Sequence, residues 1–152
     1  IRMAKVAQSA HIPLAPARLW ALMRDLERRP QWDRSVCELT REARLVPNGA
    51  TILQYTAPLA LGLTWRWEGE YVTFDPPARS SVRMLRGSAL RPFLQLAGSW
   101  TLRPDGQGTL LRISVQFEPR LRLLEAPVAR RVSKITSDSL VRLGRLAADM
   151  SA

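Results

Sequence analysis

The stretch Glu125–Met150, EAPVARRVSKITSDSLVRLGRLAADM, decides the fold. Val128, Val132, Ile135, Ser139, Leu143, Leu146 and Met150 recur every three or four residues. That spacing puts them on one face of an α-helix. Arg130, Arg131, Lys134, Asp138, Arg142, Arg145 and Asp149 fall mostly on the other side. Pro127 suits the first turn, where its missing N–H is not needed. The pairs Lys134–Asp138 and Asp138–Arg142 add at most a few tenths of a kcal/mol. A helix of this length therefore depends on a partner surface for its apolar stripe, and the residues upstream must supply it.

Those residues read as strands. From Met3 to Leu14, Ala4, Val6, Gln8, Ala10, Ile12 and Leu14 alternate with Lys5, Ala7, Ser9 and His11, the pattern of a half-buried strand. Pro13 and Pro16 stop it. Pro16 opens a short helix, Ala17–Leu26, with Leu19, Leu22, Met23 and Leu26 as its core face. Pro30 breaks that helix, and Gln31–Asp33 forms a second brief turn. Strands are then expected at Cys37–Val46, Thr51–Ala57, Leu63–Phe74, Arg79–Arg86, Leu94–Arg103 and Thr109–Glu118. They are separated by Pro47-Asn48-Gly49, a bend around Pro58 and Gly62, Asp75-Pro76-Pro77, Gly87-Ser88 and Pro104-Asp105-Gly106-Gln107-Gly108. Short turns between consecutive strands imply antiparallel pairing. Helices segregated from strands imply the α+β class. The expected architecture is a seven-stranded curved antiparallel sheet wrapped around the long C-terminal helix, with two short helices after the first strand.

The 152 residues suffice for one domain, 1–152, with a sizeable core. No apolar run is long enough to span a bilayer. No signal-peptide pattern is visible, and a single cysteine, Cys37, leaves no internal disulfide. The expected compartment is the cytoplasm. The net charge is +10, and arginine supplies all the basic residues except Lys5 and Lys134. Codon bias in a GC-rich genome explains this; so does an anionic partner such as lipid headgroups. The arginines are scattered and not interleaved with aromatics, which argues against nucleic acid.

Order and motifs together resemble the helix-grip fold of the START and birch-pollen-allergen (SRPBCC) superfamily. The nearest branch is the bacterial polyketide cyclase/dehydrase and lipid-transport family. The resemblance is carried by Ile12-Pro13-Leu14-Ala15-Pro16, Leu19-Trp20, Asp25-Leu26-Glu27 and Pro30-Gln31-Trp32-Asp33. Phe74-Asp75-Pro76-Pro77 and Gly98-Ser99-Trp100-Thr101-Leu102, running on through Gly106, Gly108 and Thr109, continue it. It implies a cavity for a hydrophobic ligand between sheet and long helix. Binding or transfer of a lipid, quinone or polyketide-like molecule is the function expected. An aromatase/cyclase or dehydratase acting in the same cavity is the alternative, so whether the chain is an enzyme stays open. After Trp32-Asp33 the chain reads Arg34-Ser35-Val36, with no match for the tyrosine that some cyclases carry.

No metal or other cofactor is expected. His11 is the only histidine and sits on the polar face of its strand; no nucleophilic triad or phosphate-cradling loop occurs. Cys37, in step with Leu39, reads as a small buried residue. The aromatic residues either fill the core or line a ligand cavity of roughly 300–1,000 Å³. Trp65 and Trp67 share a face, and Tyr55 is in step with Leu53 and Ala57. Trp100 follows Leu96, and Phe117 follows Ile113 and Val115. The resemblance favours the cavity, with Ile135 and Ser139 facing it from the helix. Arg41 interrupts the apolar row Cys37, Leu39, Ala43, Leu45. It either bends out at the sheet edge or meets a ligand carboxylate, quinone or enolate oxygen, since an unpaired buried charge is too costly. Only Tyr55, Arg41, Gln8 and Ser139 are in phase to steer a reactive polyketone. Finally, Ala57–Leu63 is a hairpin tip without a polar residue, and Leu90–Leu94 is a second, partly apolar loop. Turns are usually polar. The tip therefore covers the core, packs in a homodimer, or touches an anionic membrane from a monomer.

Overall fold

A computed structural model describes residues 3–42 and 52–151, with the backbone alone for Arg41, Glu42, Ala60 and Ser151. Strand β1 (Ala4–Ile12) is followed by helices α1 (Pro16–Arg24) and α2 (Arg29–Trp32). Strands β2 (Glu38–Glu42), β3 (Ile52–Pro58), β4 (Thr64–Asp75), β5 (Arg79–Gly87), β6 (Phe93–Asp105) and β7 (Gly108–Pro119) follow in turn. The chain closes with the 27-residue helix α3 (Glu125–Ser151). The sheet order is β1-β7-β6-β5-β4-β3-β2, antiparallel throughout. This is the helix-grip arrangement, with the apolar stripe of α3 laid across the sheet.

Local chemistry accounts for most boundaries. The β6–β7 hairpin turns at Gly106, whose φ of +61° suits glycine. The second helix differs from expectation: it begins at Arg29, so Pro30 lies inside its first turn, where a missing N–H costs nothing. Helix α1 has already ended at Arg24, which leaves Leu26 beyond it, half-buried against a neighbouring cluster. Cys37 is exposed, contrary to expectation. It precedes the first ladder pair of the edge strand β2, Glu38 with Thr56, while its neighbours Val36 and Leu39 are the residues that turn inward. The second half of the expected strand Cys37–Val46 and the Pro47-Asn48-Gly49 turn lie outside the described residues.

Two apolar plugs hold sheet and helix together. One joins Ile12, Leu14, Leu19, Leu22, Met23, Trp32, Leu102 and Leu111 to Leu140, Leu143 and Ala147 on the C-terminal half of α3. The other joins Ala57, Trp65, Phe93 and Phe117 to Val128 and Val132 on its N-terminal half. Gln8 fastens the helix to β1, donating from Nε2 to the Ser133 carbonyl and Oγ at 2.8 Å. Thr109 donates its hydroxyl to the Leu14 carbonyl at 2.6 Å, closing the bottom of the first plug.

Candidate functional site

A cavity of about 240 Å³ lies between the two plugs, somewhat smaller than the size expected from sequence. Its floor is the sheet, from Tyr55 on β3 to Val115 on β7; its roof is Val128, Val132, Ile135, Thr136 and Ser139 of α3. The wall is mainly apolar because strands of period two turn every second side chain inward. Arg131 and Ser35 are exposed yet line it, so the cavity reaches the surface beside them.

Most of the aromatic residues singled out from sequence meet here. Tyr55 and Trp67 are ladder partners, and their rings stack at 3.8 Å between centroids and 4° between planes. Trp65 continues the row, 6.2 Å from Trp67 and 5.8 Å from Phe93. Gly69 makes the stack possible: a Cβ there would lie 2.7 Å from Val82 Cγ1, 2.9 Å from the Trp67 ring and 3.1 Å from the Tyr55 ring. Trp100, Ile135 and Ser139 also line the cavity. Phe117 does not. It is fully buried behind Phe93, 5.4 Å between ring centroids, and belongs to the plug below. The side chain of Arg41 lies outside the described residues, so its backbone pairing with Leu53 is all the structure assigns to it. The Ser139 hydroxyl is committed to the protein: it accepts from the Arg34 N–H at 2.9 Å and donates to the Ile135 carbonyl at 2.8 Å. Gln8 serves the β1–α3 junction and is not part of the lining.

Sequence reading missed the charged feature of the wall, Arg29 with Asp33. Arg29 Nε donates to Asp33 Oδ2 at 2.5 Å, and the two side chains are 11% and 9% exposed. Asp33 Oδ1 accepts from the Ser35 N–H at 3.0 Å and its hydroxyl at 2.6 Å. The guanidinium lies over the Trp100 ring at 4.6 Å and the Trp32 ring at 5.2 Å. Burial opposes its charge, but Asp33, Tyr55 and Tyr71 outweigh that and the pKa rises. Burial pushes the Tyr55 phenol above its ordinary value, partly opposed by Arg29. The available signal was the spacing of four residues between Arg29 and Asp33 around Trp32 in a short helix.

A curved antiparallel sheet gripping one long helix over an apolar cavity defines the class: a helix-grip protein. A family model described as polyketide cyclase / dehydrase and lipid transport matches residues 3–148, and the chain belongs to that family. Among solved structures, a protein from Thermus thermophilus is 24% identical with a TM-score of 0.79, over 98% of this chain and 100% of that one. A START superfamily protein from Mycobacterium smegmatis is 14% identical with a TM-score of 0.81, over 96% and 98%. The Zhui aromatase/cyclase from a Streptomyces species is 13% identical with a TM-score of 0.81, over 99% and 97%. At these identities the likeness concerns the fold. No curated protein matches the sequence.

Proposed function

We propose that this protein binds or transfers a hydrophobic, ring-containing small molecule in the cavity between sheet and α3. The observation that carries the reading is the wall itself: stacked Tyr55 and Trp67, with Trp65, Trp100 and Trp32, around unfilled space. A core selected only for stability closes such space, because side chains that border a void lose their contacts. Family membership supports the same reading. Binding is favoured over turnover by the chemistry of the lining. Among the described residues it includes no histidine, and its one carboxylate there, Asp33, has both oxygens engaged. Native mass spectrometry of the purified protein tests the proposal. A co-purified apolar ligand, lost on Trp67→Ala, is the expected result. A protein that carries no ligand and takes up no aromatic probe refutes it.

The ligand's route is part of the proposal: the cavity end of the molecule docks on an anionic bilayer. Two loops, and the turn that leads into α3 together with the first turns of that helix, each place one residue in the cavity wall and a leucine outside it. Leu59 lines the wall and Leu61 is 97% exposed; Pro92 lines it and Leu90 is exposed; Val128 lines it and Leu123 is 96% exposed. Burying one such side chain gains about 1.5–3 kcal/mol. Arg66, Arg120, Arg122 and Arg130 are exposed on the same loops and their flanks, against Glu125. That balance favours lipid headgroups of negative charge. Co-sedimentation with phosphatidylglycerol vesicles should fall with salt and fall further in Leu61→Ser/Leu123→Ser. Wild type left in the supernatant at low salt refutes docking.

A further inference from the structure

Arg29 is only partly used by the protein. A guanidinium carries five N–H donors in a flat fork. One, on Nε, goes to Asp33, and no other hydrogen bond of Arg29 occurs among the described residues. The remaining four sit on the two Nη nitrogens. These are not sealed in: among the described residues, the buried side-chain nitrogens that lack a partner are those of Trp20 and Trp32. Arg29 lines the cavity and keeps a small part of its side chain exposed.

The fork is also held still. Trp100 and Trp32 lie against the guanidinium, both within about the 6 Å range of cation–π contact. Asp33 fixes one edge and is itself fixed by two bonds from Ser35. An oriented donor pair in a water-poor wall is costly unless an acceptor meets it. The pair with Asp33 is close to neutral overall, and a compact multiply charged anion would sit beside the Asp33 carboxylate. A carbonyl oxygen, or an enolate or phenolate whose charge is spread over a ring, meets the fork without that penalty. Tyr55 and Trp67 offer such a ring a flat face.

We propose that Arg29 is the polar anchor of the cavity, donating from its Nη groups to the oxygen of a conjugated carbonyl or its enolate on a planar apolar frame. This rests on the ligand-binding reading and adds the chemical class of the ligand. The anchor sets which molecules are held, and in which direction they lie along the aromatic wall.

Two near-isosteric probes separate the anchor from the cavity: 2-acetylnaphthalene, with a conjugated carbonyl, and 2-ethylnaphthalene, without. Their affinities are measured by titration calorimetry on wild type, Arg29→Met, Arg29→Lys and Arg29→Met/Asp33→Asn. The double variant removes both charges, so it keeps the test open if Arg29→Met alone fails to fold. The ketone should lose roughly ten- to hundredfold in Arg29→Met and in the double variant, the hydrocarbon less than about threefold. Arg29→Lys keeps a charge without the fork and should recover only part of the loss. Equal losses for both probes, or an unchanged ketone affinity, overturn the anchor while leaving the cavity reading intact. Wild type that binds neither probe overturns both.

Discussion

Gly98 offers the most direct perturbation of the cavity. It sits in the middle of β6, between Val82 on β5 and Val115 on β7, and lines the cavity. A Cβ at this position would meet nothing closer than the Ser114 carbonyl oxygen at 3.9 Å. Side chains added here therefore grow into space and not into neighbours. If each added carbon takes about the ~30 Å³ of a water molecule, valine occupies roughly 90 Å³. That is over a third of the 240 Å³ available. Two terms favour the folded state. Replacing a strand glycine by alanine gains about 0.5–1 kcal/mol, and each further buried methyl-sized group adds about 0.8 kcal/mol. Gly98→Ala and Gly98→Val should thus be more stable by roughly 1 and 2 kcal/mol. For a chain of this size that raises Tm by about 2–4 °C per kcal/mol. Ligand affinity should move the opposite way, falling progressively from glycine to alanine to valine. Thermal denaturation and titration with a naphthalene probe read the two effects on the same samples. A valine variant that is destabilised and still binds the probe would refute the cavity as the binding site.

Gly69 should respond with the opposite sign on stability, because its Cβ would collide with Val82 and the Trp67 ring. Gly69→Ala is expected to cost about 1–3 kcal/mol in urea denaturation and to weaken the near-ultraviolet dichroism of the Tyr55–Trp67 stack. Asp33→Ala leaves the buried Arg29 charge without its partner and should cost about 3–5 kcal/mol, most of it recovered in the double variant with Arg29→Met; a double-mutant cycle measures the coupling. The Tyr55 phenol, held above its ordinary value by burial, should keep its proton in the folded state when the unfolded chain has lost it. Its stabilising contribution is complete below about pH 10 and is lost as pH rises beyond that. Wild type should therefore lose stability more steeply than Tyr55→Phe in alkaline denaturation.

Local periodicity determined much of this protein from sequence alone. The stripe from Val128 to Met150 and the alternation of the strands name their buried faces before any contact is known, because side-chain direction follows from helix pitch and strand pleat. Trp65, Trp67 and Tyr55 were readable as one wall for that reason, and Gly106 as a hairpin turn. Tertiary structure decided what depends on distance between elements. Phe117 and Trp100 both carry inward phase, yet one is sealed behind Phe93 and the other borders the cavity. Leu59 and Leu61 share one hairpin tip, yet only Leu59 reaches the core. Arg29 belongs to no apolar stripe, and its one local signal is the four-residue spacing to Asp33. It faces the aromatic wall because the four-residue helix α2 packs between α3 and β2, bringing Arg29 against Trp100, far along the chain. Phase is a property of one segment and is written in its residues. Whether an inward side chain fills space or borders it depends on how several segments fit together, and no single segment records that.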